Sequence, residues 1–445
     1  MITGTAYTKT GDTRIACKVS LYSVLVCLLL FLTAWTPIAF AQDDPSLTVG
    51  VPFKQLKKDQ WTIITDLPID REIESWPSIL DQALSEWCRK WSIDSNKAKT
   101  WPLTVYWIGD KKAFQQAGLL DLSVAFEDGF QRADQIFIFE QPSEYYRRHL
   151  LLHEATHWIM YRAFGGAGSP WFMEGMAECE ATHAFVNGNL TLATIPSDPN
   201  QVPNWGRFKL LRNAVDAGNV PSLKAVLRYG NDRENRMERY VWSWAACVFF
   251  RNHPSYSKAF SQAAAAPLDY SMALSSRLEE ILADQWEWLE RDWQLFADEF
   301  DFGMAPGNQI VDTKDSVAAK SSSSQGVIEL DTQRGWQFSG CHLRAGDKLT
   351  IRANGDYEVV KSVEQVWTCS PNGITYRYYR HEPMGKLLGG FLPEDGPATI
   401  RRIPIGKQGL YEAPSDGWLF FRVNEPIGQL NDNRGIIRVD WSKAN

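Results

Sequence analysis

An α+β domain followed by an all-β sandwich is the architecture the sequence predicts, on three observations. Residues 46–300 alternate β-rich apolar runs with segments whose apolar residues recur at helical spacing. Residues 301–326 lose that periodicity and carry Gly303, Pro306, Gly307 and the Ser321-Ser322-Ser323-Ser324 run, the composition of a linker. Residues 327–445 return to short β-rich runs separated by turn residues, at the spacing of a sandwich.

The chain opens with Lys9, Arg14 and Lys18 ahead of a nearly uncharged run over residues 21–41, closed by Ala39-Phe40-Ala41. That pattern predicts a signal peptide at residues 1–41 with a small-residue cleavage site. The run also nears spanning length, so the same residues suit a retained anchor. Both readings predict an exported protein, secreted or periplasmic; with cleavage, no membrane span is expected afterwards. Of 46 basic and 53 acidic residues, 43 and 52 lie beyond residue 41, a net charge of −9. This balance excludes a nucleic-acid partner, which would need clustered Lys and Arg. Cys88, Cys179, Cys247, Cys341 and Cys369 remain after residue 41, none at zinc-finger spacing. Their odd number leaves at least one without an intramolecular partner; Cys341 and Cys369 share one region.

Residues 60–65 and 103–108 read as strands, and residues 73–92 as a helix between them. Residues 135–140 alternate as another strand. Residues 145–164 contain no Gly or Pro and carry His153-Glu154-Ala155-Thr156-His157 on a predicted helix. Positions four apart stack on one helix face, so both imidazoles point the same way and can share a metal ion. Glu154 falls beside them, placed to take a proton from a water. A second helix is predicted from Pro170, with Glu174 and Glu178 four apart on one face. Either carboxylate completes a three-ligand set, and periodicity alone does not choose between them. His183, nine residues past Glu174, is a further candidate whose angular offset on the same helix disfavours joint ligation.

The HExxH helix and Trp171-Phe172-Met173-Glu174-Gly175-Met176-Ala177-Glu178 together resemble the gluzincin metallopeptidases, whose second helix often reads Trp-x-x-Glu-Gly-x-Ala-Glu. The resemblance implies a zincin-like fold, zinc held by His153, His157 and Glu174, and Glu154 as general base. It makes Glu178 the carboxylate that orients an imidazole. In such folds a strand placed like residues 135–140 forms the sheet edge of the cleft, where an extended peptide adds.

Residues 196–205 break any period, and helical segments are expected at 208–216 and 222–229. Tyr240-Val241-Trp242-Ser243-Trp244-Ala245 resembles a segment of secreted gluzincin-like domains. By that likeness Tyr240 supplies a phenol to the oxyanion; the alternative is a core aromatic beside Trp242, Trp244 and Phe249. Residues 276–300 form one amphipathic helix that closes the domain.

Strands are expected at 326–330, 347–351, 417–423 and 435–439. Gly346-Asp347-Lys348-Leu349-Thr350-Ile351, Pro404-Ile405-Gly406, Ala413-Pro414, Val423-Asn424-Glu425 and Asn431-Asp432-Asn433-Arg434-Gly435 resemble the PA-I-type calcium-dependent galactose-binding bacterial lectins. The resemblance implies a galactose-binding-like fold and a calcium loop with Glu425, Gln429, Asp432 and Asn433 as ligands. Glu425 replaces an aspartate and Gln429 a threonine of that family. The competing reading is an Asn/Asp-rich turn and nothing more.

The combined expectation is an exported zinc metallopeptidase acting on a peptide or protein through an activated water, with a lectin-like domain directed at galactose-type glycans. The alternative is a carbohydrate-binding protein whose peptidase-like domain is an idle scaffold. An intact Glu154 weighs against the second, since a scaffold needs no general base.

Overall fold

The computed structural model describes residues 53–124, 128–230, 236–265, 271–313, 323–362, 365–396 and 398–444. The expected signal segment, residues 1–41, and Ser321 and Ser322 of the linker lie outside them. Among the described residues, no helix is long and apolar enough to cross a membrane.

A five-stranded sheet begins the chain's described part: β1 (Lys54–Lys58), β2 (Trp61–Thr65), β3 (Leu103–Ile108), β4 (Gly129–Arg132) and β5 (Gln135–Phe139), in the order β1-β2-β3-β5-β4. β2, β3 and β5 run parallel, with β1 and β4 antiparallel at the two edges. The strand expected to form the cleft edge, residues 135–140, is therefore interior. β4 pairs outside it, from Gly129↔Ile138 to Arg132↔Gln135, and takes the edge. Its four residues are too few for a sequence period to reveal.

Helix α1 (Arg71–Trp91) and helix α2 (Glu144–Phe164) pack on one face of the sheet. Trp61, Ile63, Val105, Ile136 and Ile138 from the sheet meet Trp76, Leu80, Leu151, Ala155 and Trp158 in a core of fully buried side chains. Asp70 caps α1 through Ile73 N, and Ser143 caps α2 through Tyr146 N, each satisfying an orphan donor of the first turn. Gly165 at φ 75 ends α2, returning its N–H to Tyr161 O.

Helix α3 (Pro170–Ala181) carries Pro170 in its first turn, and α4 (Arg207–Asp216) and α5 (Arg236–Asn252) pack around it. Gly175 is what lets α3 and α5 meet: a Cβ there would lie 2.4 Å from Ser243 O and 2.6 Å from Cys247 Sγ. The helix expected over 276–300 is interrupted. It runs as Ala273–Ile281, a 3-10 turn at Ala283–Gln285, and α6 (Trp286–Glu299). Leu282, at φ −103 and ψ 10, leaves helical geometry there. Leu274, Leu278 and Leu282 before the turn and Leu289 and Trp293 after it are all buried, and Ile281 is left 38% exposed.

The C-terminal part is β-rich. One four-stranded antiparallel sheet orders Gln408–Glu412, Lys348–Asn354, Ile436–Lys443 and Gln325–Asp331; the other orders Arg401–Pro404, Leu387–Pro393, Gly417–Val423 and Gln337–Leu343. Leu349, Ile351, Val439 and Trp441 of the first share a core with Leu387, Phe391, Leu419 and Phe421 of the second. Alternation of buried and exposed positions along Lys348–Asn354 produces that inner face.

The two parts meet over a seam. Glu299, at the end of α6, accepts from Arg422 and Arg402, each at 2.6 Å, and from Trp336 Nε1 at 3.3 Å. Trp288 packs edge-on against Trp418 at 5.2 Å. Gln309 donates to Ile427 O and Asn431 Oδ1, both at 3.0 Å. All five cysteines beyond residue 41 are buried free thiols.

Candidate metal centre

Helical spacing places His153 and His157 on one face of α2, where their rings meet at 4.9 Å. Their Nε2 atoms stand 3.2 Å apart. Glu174, on the first turns of α3, brings Oε2 to 3.2 Å from His153 Nε2 and 3.6 Å from His157 Nε2. Three lone-pair atoms thus converge on one point, an arrangement that needs a positive charge among them. Burial alone would raise Glu174, but His153 and His157 hold its carboxyl down to about 2. Burial would likewise lower His153; Glu174 and Glu178 overcome it and push the imidazole up to about 10.

A cleft of about 190 Å³ opens beside these atoms, lined by Gly129, Phe130, Glu154, Tyr161, Met173 and Tyr240 as well as the two histidines and Glu174. Glu154 is 5% exposed and faces the edge strand: a Cβ on Gly129 would meet its Oε1 at 3.1 Å. Tyr240, near the start of α5, is half-buried, with its ring 5.9 Å from that of His153. The structure therefore brings His153, Glu154, His157, Glu174 and Tyr240 to one cleft.

Glu178 lies behind the centre, not in it. Its Oε1 approaches His153 Nδ1 at 3.3 Å, an ion-pair distance without hydrogen-bond alignment. His149, one turn before His153, sets Nε2 3.4 Å from Glu178 and Nδ1 3.1 Å from Ala181 O. Arg207 grips both Glu178 oxygens, Nε to Oε2 at 3.0 Å and Nη2 to Oε1 at 2.9 Å. Burial works against the Glu178 anion, yet Arg207 and His149 hold it well below the usual carboxylate range. Sequence reasoning missed both His149 and Arg207. The four-residue step from His149 to His153 was a usable signal; Arg207 had none.

Three groups of side chains among the described residues bring ligand atoms within 4.8 Å of one another. In His149, His153 and Glu178 the carboxylate is already occupied by a guanidinium, so the cation is in place. In His253, Asp292 and Asp312, His253 Nδ1 accepts from Ser255 N at 3.2 Å, which leaves the proton on Nε2, 3.3 Å from Asp292. Of the three groups, His153, His157 and Glu174 open onto the cleft.

His183 is not on α3, which ends at Ala181; it opens a short hairpin strand, His183–Val186. Its ring stacks on Tyr145 at 4.6 Å and accepts from Arg148 Nε at 3.3 Å. Burial pushes it down to about 3, the behaviour of a core histidine.

In the β-rich part, Glu425 and Asn433 are fully buried and joined, Asn433 Nδ2 donating to Glu425 Oε2 at 2.7 Å. Glu425 Oε1 and Asn433 Oδ1 are buried without a hydrogen-bond partner. Burial pushes Glu425 up to about 7, with Asp432 adding to the rise. Asp432 is exposed and Gln429 half-buried on the 3-10 turn Ile427–Asp432 that joins the pair.

No protein-family model matches the chain, and no curated protein is similar to it. Parts of it are similar to solved structures. One is the EclA N-terminal domain, a PllA-like lectin, at 18% identity and a TM-score of 0.22, over 27% of this chain and 96% of that one. Another is a functionally unknown conserved protein from Bacillus anthracis str. Ames, at 10% identity and a TM-score of 0.15, over 27% of this chain and 22% of that one. IMPa from Pseudomonas aeruginosa, solved in complex with an O-glycopeptide, is 12% identical with a TM-score of 0.15, over 61% of this chain and 27% of that one.

Proposed function

We propose that the chain is an exported zinc metallopeptidase of gluzincin type with a lectin-like C-terminal part. The observation that carries the reading is the mutual spacing of His153 Nε2, His157 Nε2 and Glu174 Oε2, 3.2 to 3.6 Å. Ligand bonds of roughly 2.0–2.1 Å in tetrahedral geometry put neighbouring donors about 3.3 Å apart. Two imidazoles and one carboxylate, with a cleft left for a fourth position, are the donor set of a catalytic zinc site.

Zinc bound there supplies Lewis-acid activation of a water and of the scissile carbonyl. Glu154, beside the histidines in the cleft, accepts the proton of the attacking water and returns it to the leaving amine. Tyr240 donates its hydroxyl to the carbonyl oxygen as negative charge develops. The outer edge of β4 offers main-chain groups to an extended peptide, beginning at Gly129 next to Glu154. The absence of a side chain at Gly129 keeps that approach open.

In the β-rich part the two orphaned oxygens, Glu425 Oε1 and Asn433 Oδ1, fit a hard cation. Asp432 and Gln429 would complete the calcium loop, and galactose-type glycans are the ligands to try first. A proteome-derived peptide screen tests the central reading. Cleavage by the wild type, abolished in Glu154→Gln, is expected; no turnover on any peptide would favour a glycan-binding protein with an idle scaffold.

A further inference from the structure

We propose that Arg207 is a positioning residue for the metal centre, acting through Glu178 on His153. The inference rests on the zinc reading above and adds to it a residue that touches neither the ion nor the substrate.

Arg207 begins α4 and is 4% exposed, 29 positions from the carboxylate it binds. Its two contacts, 3.0 and 2.9 Å to separate oxygens, form the planar fork that guanidinium and carboxylate share. The fork fixes the plane of the Glu178 carboxylate. It also supplies the charge that lets an anion persist behind two imidazoles in a buried place. A fixed Glu178 anion 3.3 Å from His153 Nδ1, within ion-pair range, favours the proton on that nitrogen. The lone pair of His153 is then confined to Nε2, the atom that faces His157 and Glu174. Without the fork, the carboxylate, which already meets His149 Nε2 at 3.4 Å, is no longer held in the plane that faces His153.

Arg207→Lys keeps a charge but cannot span both oxygens. Arg207→Met combined with Glu178→Gln removes the buried pair as a unit, so no lone charge is left to unfold the chain. Zinc affinity is read by competition with a chromophoric chelator, and folding by circular dichroism on the same samples. Both variants are expected to fold and to bind zinc ~10 to 100-fold more weakly than the wild type. At saturating zinc, Arg207→Lys should lower kcat and leave KM for a peptide in place, because the substrate does not touch this cluster. Wild-type affinity for zinc in the folded double variant overturns the proposal and leaves the zinc reading standing. A wild type that holds zinc no better than His153→Ala, His157→Ala overturns both.

Discussion

Glu174 and Glu425 are glutamates drawn out of water in different halves of the molecule, and their carboxyls move in opposite directions. Glu174 is held down to about 2 because two imidazoles lie within 3.6 Å and outweigh the cost of burial. Glu425 is pushed up to about 7 because burial, with the like charge of Asp432, outweighs the hydrogen bond that Asn433 donates at 2.7 Å. Burial penalises both anions, and the neighbours decide the sign. Behind the first centre, Arg207 grips Glu178, which stands 3.3 Å from His153 Nδ1. The second keeps two oxygens unsatisfied.

The largest expected effect tests the first centre. His153→Ala with His157→Ala should lose the bound zinc and all peptide turnover; elemental analysis with zinc unchanged would break the contrast. Glu154→Gln should keep its zinc while kcat falls ~10²–10⁴-fold, since the residue moves a proton and ligates nothing. A variant that loses zinc along with activity would move Glu154 into the ligand set. Tyr240→Phe should lower kcat about a hundredfold with little change in KM, the behaviour of a group acting on the oxyanion. Unaltered kinetics would return Tyr240 to the aromatic core.

The seam gives the next effect. Glu299→Gln leaves Arg422 buried beside a neutral partner, which should cost about 3–5 kcal/mol in denaturant unfolding. Burial alone would raise the Glu299 carboxyl; Arg422 and Arg402 hold it well below the ordinary range. Its stabilisation is therefore complete above about pH 4.3, the unfolded value, and drains away as pH falls below it. The wild type should lose stability over that acidic window more steeply than Glu299→Gln. Parallel curves would remove Glu299 from the balance.

The smallest expected effect concerns Glu425. Calcium at a hundred times its dissociation constant should stabilise the chain by about 2.7 kcal/mol, read as a rise in Tm that Glu425→Gln removes. Calcium with no effect on Tm would leave the Asn/Asp-rich loop a turn. Because Gln309 ties that loop to the segment after α6, a calcium response should reach the helical part's melting too.

What the sequence determined by itself was local. The face shared by His153 and His157, the helix opened at Pro170, the spacing of Glu174 from Glu178 and the alternation along Lys348–Asn354 all follow from periods of 3.6 and 2 residues. Those periods are set by backbone geometry and show in any window of the chain. Tertiary structure alone decided that β4, and not β5, is the edge facing Glu154, and that the helix over 276–300 turns at Leu282. It also decided that Arg207 closes on Glu178 and Arg422 on Glu299, 29 and 123 positions apart. A charged side chain finds a buried partner only when packing brings two distant segments together, and no local period encodes which segment arrives.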